Sequence, residues 1–392
     1  MTFGKIARAG SYQQQLSGYS AFVPKPLPPD PAIAFDGELQ TLLSKADRAL
    51  GRLDGSVQTL PNPDLFVFMY VRKEAVLSSQ IEGTQSSIND ILKVEAQVFD
   101  PQRPNDVHEV LNYVTAMNHG LDRLQELPLS IRLIREIHER LMHGVRGHHN
   151  NPGELRTTQN WIGPGGCTLH DATFVPPPPH EVAKILGQLE NFMHGDDQLP
   201  MLIKIGLVHA QFETIHPFLD GNGRVGRLLI TFLLCQADIL QKPVLYLSHY
   251  FKKRRIDYYN CLQNVRDDGD WEGWLKFFLR GISEVSNEAT DTARKIVSLR
   301  ENHRGRITDN FGRSAANGHT LLESLFKRPI INVATVAEKL EITFAAANNL
   351  VQRFVDQQML FEITGQQRYR LFSYEPYISL FSQPLHRSSD GP

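Results

Sequence analysis

One twelve-residue stretch gathers most of the side chains that could do chemistry together: His216-Pro217-Phe218-Leu219-Asp220-Gly221-Asn222-Gly223-Arg224-Val225-Gly226-Arg227. A histidine titrates near neutral pH and is the usual general base. Glycines at 221 and 223 let an anion approach the backbone closely. The apolar residues Val225, Leu228, Leu229 and Phe232 follow at helical spacing, so the Gly-Asn-Gly turn opens a helix. Free N–H groups and the helix dipole favour an anion there. Arg224 and Arg227, three apart, project near that same helix end, and their planar forks suit the oxygens of a polyphosphate. Asp220 stands just outside, where phosphate repels it unless a cation lies between. A Mg²⁺ held by one carboxylate and by phosphate oxygens is the common solution. Pro217 biases His216 toward an extended conformation, and Phe218 can anchor the loop in the core.

Gly221, Gly223 and Gly226 also spell G-x-G-x-x-G, the dinucleotide fingerprint. That reading needs a strand before the glycines and a second strand ending in an acid about 20 residues on. Pro217 stands where the first strand should run, and Asp238 comes only twelve residues after Gly226. The context excludes it.

The elements around this loop read as mainly helical. Apolar residues recur at helical spacing over Asp64–Ile81, which Gly83 then ends. Ser87 with Asp90 forms a capping box for a short helix. Further helices are predicted over Val107–Leu124, Ser130–His143, residues 180–240 with a break at His216–Pro217, Asp257–Gln263 and Trp271–Ser298. Gly144–Pro179 differs, being rich in Gly, Pro, Asn and His. Asn160–Ile162 and Thr173–Val175 flank a Gly163–Gly166 turn there and predict a hairpin or flap. Residues 22–32 carry five prolines and read as an extended, surface-lying lead-in. A polar hinge is expected at Glu301–His319. Beyond it, Leu321–Phe326, Val333–Leu340 and Phe344–Gln357 predict helices, and Leu360–Thr364 with Arg368–Phe372 a hairpin turning at Gly365. That order is a winged-helix pattern. The expected division is an N-terminal helical segment at 1–105, a core at 106–300 and a winged-helix-like module at 310–385.

Lys plus Arg number 41 against 43 Asp plus Glu, so the net charge of -2 gives no nucleic-acid or membrane signature. Cys167, Cys235 and Cys261 are far apart, which suits a reducing compartment rather than a disulfide framework. Met1–Gln15 lacks a signal-peptide apolar stretch, and no apolar run reaches the ~20 residues of a membrane span. A cytoplasmic protein is expected. His143, His148 and His149 have no carboxylate or Cys partner at ligand spacing and do not read as a metal site. Lys252–Arg255 reads as a solvated helix start.

The whole pattern resembles the signature of the Fic family, H-x-F-x-[D/E]-G-N-G-R-x-x-R, and all its defined positions match. Asn151–Arg156 and Gln159–Gly163 resemble the run into that family's flap, Pro176–Pro179 the segment closing it, and Tyr258–Tyr259 the Tyr pair after the core helix. The resemblance covers roughly residues 106–285. It implies a mainly α, Fic-type helical core with a β-hairpin flap, and a protein adenylyltransferase that moves AMP from ATP to a Tyr, Thr or Ser hydroxyl. On the resemblance, His216 takes the proton from that hydroxyl and Asp220 holds Mg²⁺. The amides of Gly221, Asn222 and Gly223 steady the transferring group, and Arg224 and Arg227 grip the outer phosphates. Val225 and Gly226 complete the nucleotide-binding stretch. Tyr258 is a candidate for lining the adenine site, with a plain core tyrosine the alternative. The flap edge near Thr168–Thr173 would hold the target protein by strand addition.

Ser78-Ser79-Gln80-Ile81-Glu82-Gly83 resembles the same family's inhibitory pattern, [S/T]-x-x-x-E-[G/N]. Glu82 also ends a predicted helix, where the dipole disfavours a carboxylate, so it should have a partner elsewhere. The resemblance names Arg227, and the pair would occupy the γ-phosphate position of ATP. The same glutamate could instead place a water that removes AMP from modified targets. A growth-arresting, toxin-like enzyme released from Glu82 is a further option. The different-class alternative is a transcriptional regulator in which the core senses ATP. Against it, the third helix of the C-terminal module offers only Arg353 as a basic residue, beside Asn348, Asn349 and Gln352, so protein binding or a homodimer contact is favoured over DNA.

Overall fold

The computed structural model describes residues 6–58, 63–96, 106–145, 151–196, 198–366 and 368–382. Its N-terminal part begins with a short helix α1 (Ile6–Ala9) and an antiparallel hairpin, β1 (Gly10–Gln14) and β2 (Ser20–Pro24), in the register Gly10↔Pro24. Helices α2 (Gly37–Gln58), α3 (Asp64–Ile81) and α4 (Ile88–Glu95) follow. Then come α5 (Val107–Leu124), α6 (Ile131–Leu141), α7 (Pro179–His194), α8 (Met201–Ile215) and α9 (Asn222–Gln236). The chain continues through α10 (Ser248–Lys253), α11 (Arg255–Asp268) and the long α12 (Trp271–Asn310). The C-terminal part holds α13 (Ala315–Lys327), β3 (Ile330–Asn332), α14 (Val333–Leu340), α15 (Phe344–Asp356), β4 (Phe361–Glu362), β5 (Leu371–Ser373) and α16 (Glu375–Ser382). The fold is mainly α.

Helices α8 and α9 form the centre. Of α8 every residue but Met201 is buried, so its sequence reads apolar all round. α5 and α6 pack on one another and both reach α9, while α3 lies against α5 and α10. A Cβ on Gly120 of α5 would stand 2.3 Å from the Phe232 ring of α9, so only glycine permits that approach. The helix starts follow local chemistry. Ser87 and Asp90 exchange both bonds of a capping box, Ser130 caps α6, and Asp270 accepts the Gly273 N–H at the head of α12.

Several sequence expectations need correction. The lead-in at 22–32 is not wholly on the surface: Ala21 and Phe22 on β2 are buried, and the Phe22 N–H donates to the Val175 carbonyl at 2.9 Å. The hinge expected over Glu301–His319 narrows to a short turn at Phe311–Ser314, where Gly312 stands at φ 51°. α12 runs unbroken to Asn310, and His319 lies within α13. Its buried stripe of Val285, Ala289, Ala293, Ile296, His303 and Ile307 continues past the polar surface residues, and His303 Nδ1 meets the Tyr374 hydroxyl at 2.8 Å. Residues 180–240 break twice, because Pro200 and the segment before it separate α7 from α8. The C-terminal hairpin pairs Phe361 with Ser373, and β3 joins it as a third strand in the order β3-β5-β4. Among the described residues no helix is long and apolar enough to cross a membrane.

Candidate active site

The loop between α8 and α9 carries the site. His216 ends α8 in the left-handed region, φ 49°, and Gly221 precedes α9 at φ 78°, a conformation a glycine adopts freely. Asn222 closes the loop on itself: its Oδ1 accepts the Phe218 N–H and its Nδ2 donates to the Phe218 carbonyl, each at 2.8 Å. From the flap side, Asn160 Nδ2 donates to the same carbonyl at 2.9 Å. Arg156 donates its N–H to the Pro217 carbonyl and its Nε–H to the His216 carbonyl, both at 2.9 Å. These bonds leave the turn little freedom.

Three histidines have their tautomers assigned by backbone neighbours. His216 Nδ1 lies 3.3 Å from the Glu213 carbonyl, which can only accept, so Nδ1 carries the proton and Nε2 the lone pair. Burial, then the Arg266 charge, push its pKa down to about 4. The ring is therefore neutral at physiological pH, with the Nε2 lone pair available to accept a proton. His138 accepts the Gly153 N–H on Nδ1 at 2.8 Å, so its Nε2–H donates to the Asp220 carbonyl at 3.0 Å. Its ring stacks on Phe218 at 3.8 Å. His209 donates Nδ1–H to the Gly226 carbonyl at 2.9 Å and accepts the Tyr258 hydroxyl on Nε2 at 2.9 Å.

The arginines differ in their surroundings. Arg227 is held by α3: Nε–H donates to Ser78 Oγ at 2.8 Å, and Nη2 to the Ser78 carbonyl at 3.0 Å and to Glu82 Oε1 at 2.6 Å. Ser78 and Glu82 are four apart, one helical turn, which is why one arginine can reach both. Burial would raise the Glu82 carboxyl, but Arg227 outweighs it and holds the group below its ordinary value. Arg224 turns away from the cleft. Its Nη1 meets Glu109 of α5 at 3.2 Å, its Nη2 stands 3.7 Å from Asp220 Oδ1, and its buried Nε has no hydrogen-bond partner among the described residues.

A cleft of about 590 Å³ opens over the turn, lined by Glu82, His216, Asp220, Gly221, Asn222, Gly223 and Arg227 below and by Trp161–Pro164 and Thr173–Phe174 of the flap above. The flap is closed by one antiparallel bridge, Ile162 to Phe174. A Cβ on Gly223 would stand 2.4 Å from Glu82 Oε1, so this glycine keeps the amide end of α9 open. Two expected nucleotide contacts face elsewhere: Val225 is fully buried in the core, and Gly226 offers its carbonyl to His209. Tyr258 borders the cleft yet is only 1% exposed and stacks on Phe251 at 4.4 Å, so most of its ring is core. Of His143, His148 and His149, the first is exposed and the other two lie outside the described residues.

Sequence reading missed Arg266 and Glu213 on the cleft wall, noted Tyr259 without a site role and read Arg255 as solvated. Arg255 belongs to the basic run read as solvated, whereas its neighbours Lys253 and Arg254 pair with Glu284. Glu213 is buried, its Oε1 has no hydrogen-bond partner among the described residues, and desolvation raises its pKa to about 7. Its place, one helical turn before His216, was the available signal.

Residues 40–122 match the Fic/DOC family N-terminal region and residues 128–234 the Fic/DOC family. A mainly helical fold with a histidine-bearing turn over a flapped cleft therefore has a family: the chain belongs to Fic/DOC. It is similar to the protein adenylyltransferase Fic of Drosophila grimshawi, 28% identical over 219 residues, which is 54% of this chain and 40% of the relative. A probable protein adenylyltransferase of Aquifex aeolicus is 28% identical over 181 residues, 45% of this chain and 51% of the relative. The chain thus spans about half or less of the length of these curated relatives. In fold it resembles a Fic family protein from Desulfovibrio desulfuricans G20, with a TM-score of 0.56 at 17% identity over 87% of this chain and 97% of the other. A Fic domain containing signaling protein from Bacteroides thetaiotaomicron gives a TM-score of 0.52 at 20% identity over 66% of this chain and 96% of the other.

Proposed function

We propose that this chain is a protein adenylyltransferase that transfers AMP from ATP to a Tyr, Thr or Ser hydroxyl of a target protein. The observation that carries the reading is a neutral His216, with Nε2 as its lone-pair nitrogen, on the cleft that the amide end of α9 also lines. In the step proposed, the target hydroxyl oxygen bonds to the α-phosphorus and the bond to the bridging β-phosphate oxygen breaks. The hydroxyl proton goes to His216 Nε2, and pyrophosphate leaves. Gly221–Gly223 amides steady the charge on the transferring group, and positioning does most of the rest. The target would lie along the flap near Thr168–Thr173.

Asp220 fits a Mg²⁺ ion. Its side chain is 40% exposed, and Oδ1 accepts the Gly221 N–H at 2.6 Å, with Oδ2 free among the described residues. Such an ion, bound with ATP, neutralises charge on the phosphates. Arg224 would have to trade Glu109 for phosphate.

Glu82 acts here as a built-in brake. Its carboxylate occupies the end of Arg227 that an outer phosphate would take, so ATP could not settle with its α-phosphorus in line for attack. The C-terminal part, put at 310–385, is read as a winged-helix-like module that serves in protein binding, a reading supported by the order α13-β3-α14-α15-β4-β5. Its Arg353 is exposed but has Nη1 engaged by the Phe311 carbonyl at 2.7 Å, and a single basic residue on α15 gives little support to the DNA-binding regulator alternative. The N-terminal segment at 1–105 and the core at 106–300 complete the division, in a cytoplasmic protein. Intact-mass spectrometry of Glu82→Gly after incubation with Mg²⁺ and ATP tests the activity. An added AMP is expected, and an added phosphate alone would overturn the reading.

A further inference from the structure

Arg266 on α11 is a buried cation that the proposed reaction does not use. It is 5% exposed and lines the cleft, and no carboxylate lies within ion-pair distance of it among the described residues. A buried charge is costly unless its donors are engaged, and the Glu213 carboxyl is the first of the acids that act on it. Its Nη2 donates to the Glu213 carbonyl at 3.2 Å, its Nε to Thr214 Oγ1 at 3.3 Å and its Nη1 to Gln263 Oε1 at 3.3 Å. The guanidinium carbon stands 3.8 Å from the ring centre of Phe174, the flap residue that pairs with Ile162.

The Glu213 carbonyl is also the one facing His216 Nδ1. Two donors, one from Arg266 and one from His216, therefore share one carbonyl in the last turn of α8. We propose that Arg266 is a positioning residue for His216, which fixes its Nδ1–H tautomer through the shared Glu213 carbonyl and ties that junction to the flap through Phe174. This rests on the reading of His216 as the proton acceptor. The charges facing the imidazole are Arg266 from α11, Arg156 from the segment before the flap, and Glu82 from α3. Arg266 and Arg156 disfavour a protonated ring and Glu82 favours it, so loss of Arg266 leaves the balance more acidic.

The test is ¹⁵N-histidine NMR on the full chain, which reads tautomer and titration without requiring any reaction. With Arg266 present, His216 should hold one neutral Nδ1–H tautomer down to about pH 5. In Arg266→Met its titration should move up by about one pH unit, the size expected of one nearby charge. His138 and His303 should keep their titrations, and one that moved as far as His216 would mark a general loosening and overturn the assignment. An unchanged His216 tautomer and titration would also overturn it. If Arg266→Met does not fold, Arg266→Gln decides by the same criteria. In the Glu82→Gly background, the variant should lose about twofold more AMP transfer at pH 5 than at pH 8, and equal losses at both would count against positioning. No transfer by Glu82→Gly with Arg266 intact would instead reject the proposed reaction, leaving the NMR result to stand by itself.

Discussion

Glu82 Oε1 and Arg227 Nη2 lie 2.6 Å apart, joining the end of α3 to the second turn of α9 across 145 residues of chain. The arginine is 2% exposed and the glutamate 34%, so the pair is half open to the cleft. Arg227 is buried but keeps two bonds to Ser78 when Glu82 is lost, so removal of the glutamate does not leave it unpartnered. The consequence of the pair lies in what it occupies.

Glu82→Gly should therefore raise protein-bound label from ATP by tenfold or more, with a melting temperature within a few degrees of wild type. Ser78→Ala removes one of the three bonds on Arg227 and should raise labelling less. Equal labelling by Glu82→Gly and wild type would end the brake account.

Gly223→Ala should abolish transfer even when Glu82 is gone. The added methyl would stand 3.1 Å from Arg227 Nη1 and crowd the anion position at the amide end of α9. A loss of at least a hundredfold in Glu82→Gly/Gly223→Ala, with ordinary circular dichroism, is expected. Retained activity would mean that phosphate does not approach the backbone there.

The pH profile separates a held histidine from a free one. With His216 at about 4, the base is already deprotonated at pH 6, so transfer by Glu82→Gly should be flat from pH 6 to 8 as far as His216 is concerned. A His216-dependent limb with a midpoint near 6.5 would contradict the burial and Arg266 effects.

Stability should vary with pH in two opposed ways. His138, His209, His216 and His303 all have pKa values depressed below 6.5, chiefly by burial. Their contribution is present above about pH 6.5 and is lost as pH falls toward 4 and below, because the unfolded chain binds the protons first. Glu213 is raised to about 7, so its contribution is present below about 4.5 and is lost as pH rises through 7. Denaturant melts of Glu213→Gln should show a gain over wild type that grows between pH 4.5 and 7, to roughly 2 kcal/mol. A gain independent of pH would show that the carboxyl is not buried as described.

Much of this was legible in the sequence, for identifiable reasons. The turn from His216 to Arg227 was readable because each residue type there answers a local requirement: glycine for φ 78° at 221, asparagine to close the loop, an apolar run to start α9. Ser78 and Glu82 were readable because a helix puts residues four apart on one face. What was not legible came from long-range packing. Nothing local tells that Arg224 turns to Glu109, 115 residues earlier, or that Arg266 lies over Phe174. α2 was passed over although Leu39, Ala46, Leu50, Leu53 and Val57 fall at helical spacing. The break expected over Glu301–His319 is shorter than the polar composition suggests, because a charged surface hides a buried stripe that carries α12 on to Asn310.

The most direct test uses ATP labelled at the α-phosphate and, separately, at the γ-phosphate. Wild type, Glu82→Gly and Glu82→Gly/His216→Ala would be incubated with each in Mg²⁺ and protein-bound label counted. The account predicts α-label on Glu82→Gly, little on wild type, none when His216 is removed, and no γ-label on any. Label retained from the γ-position, or α-label that survives the loss of His216, would contradict it.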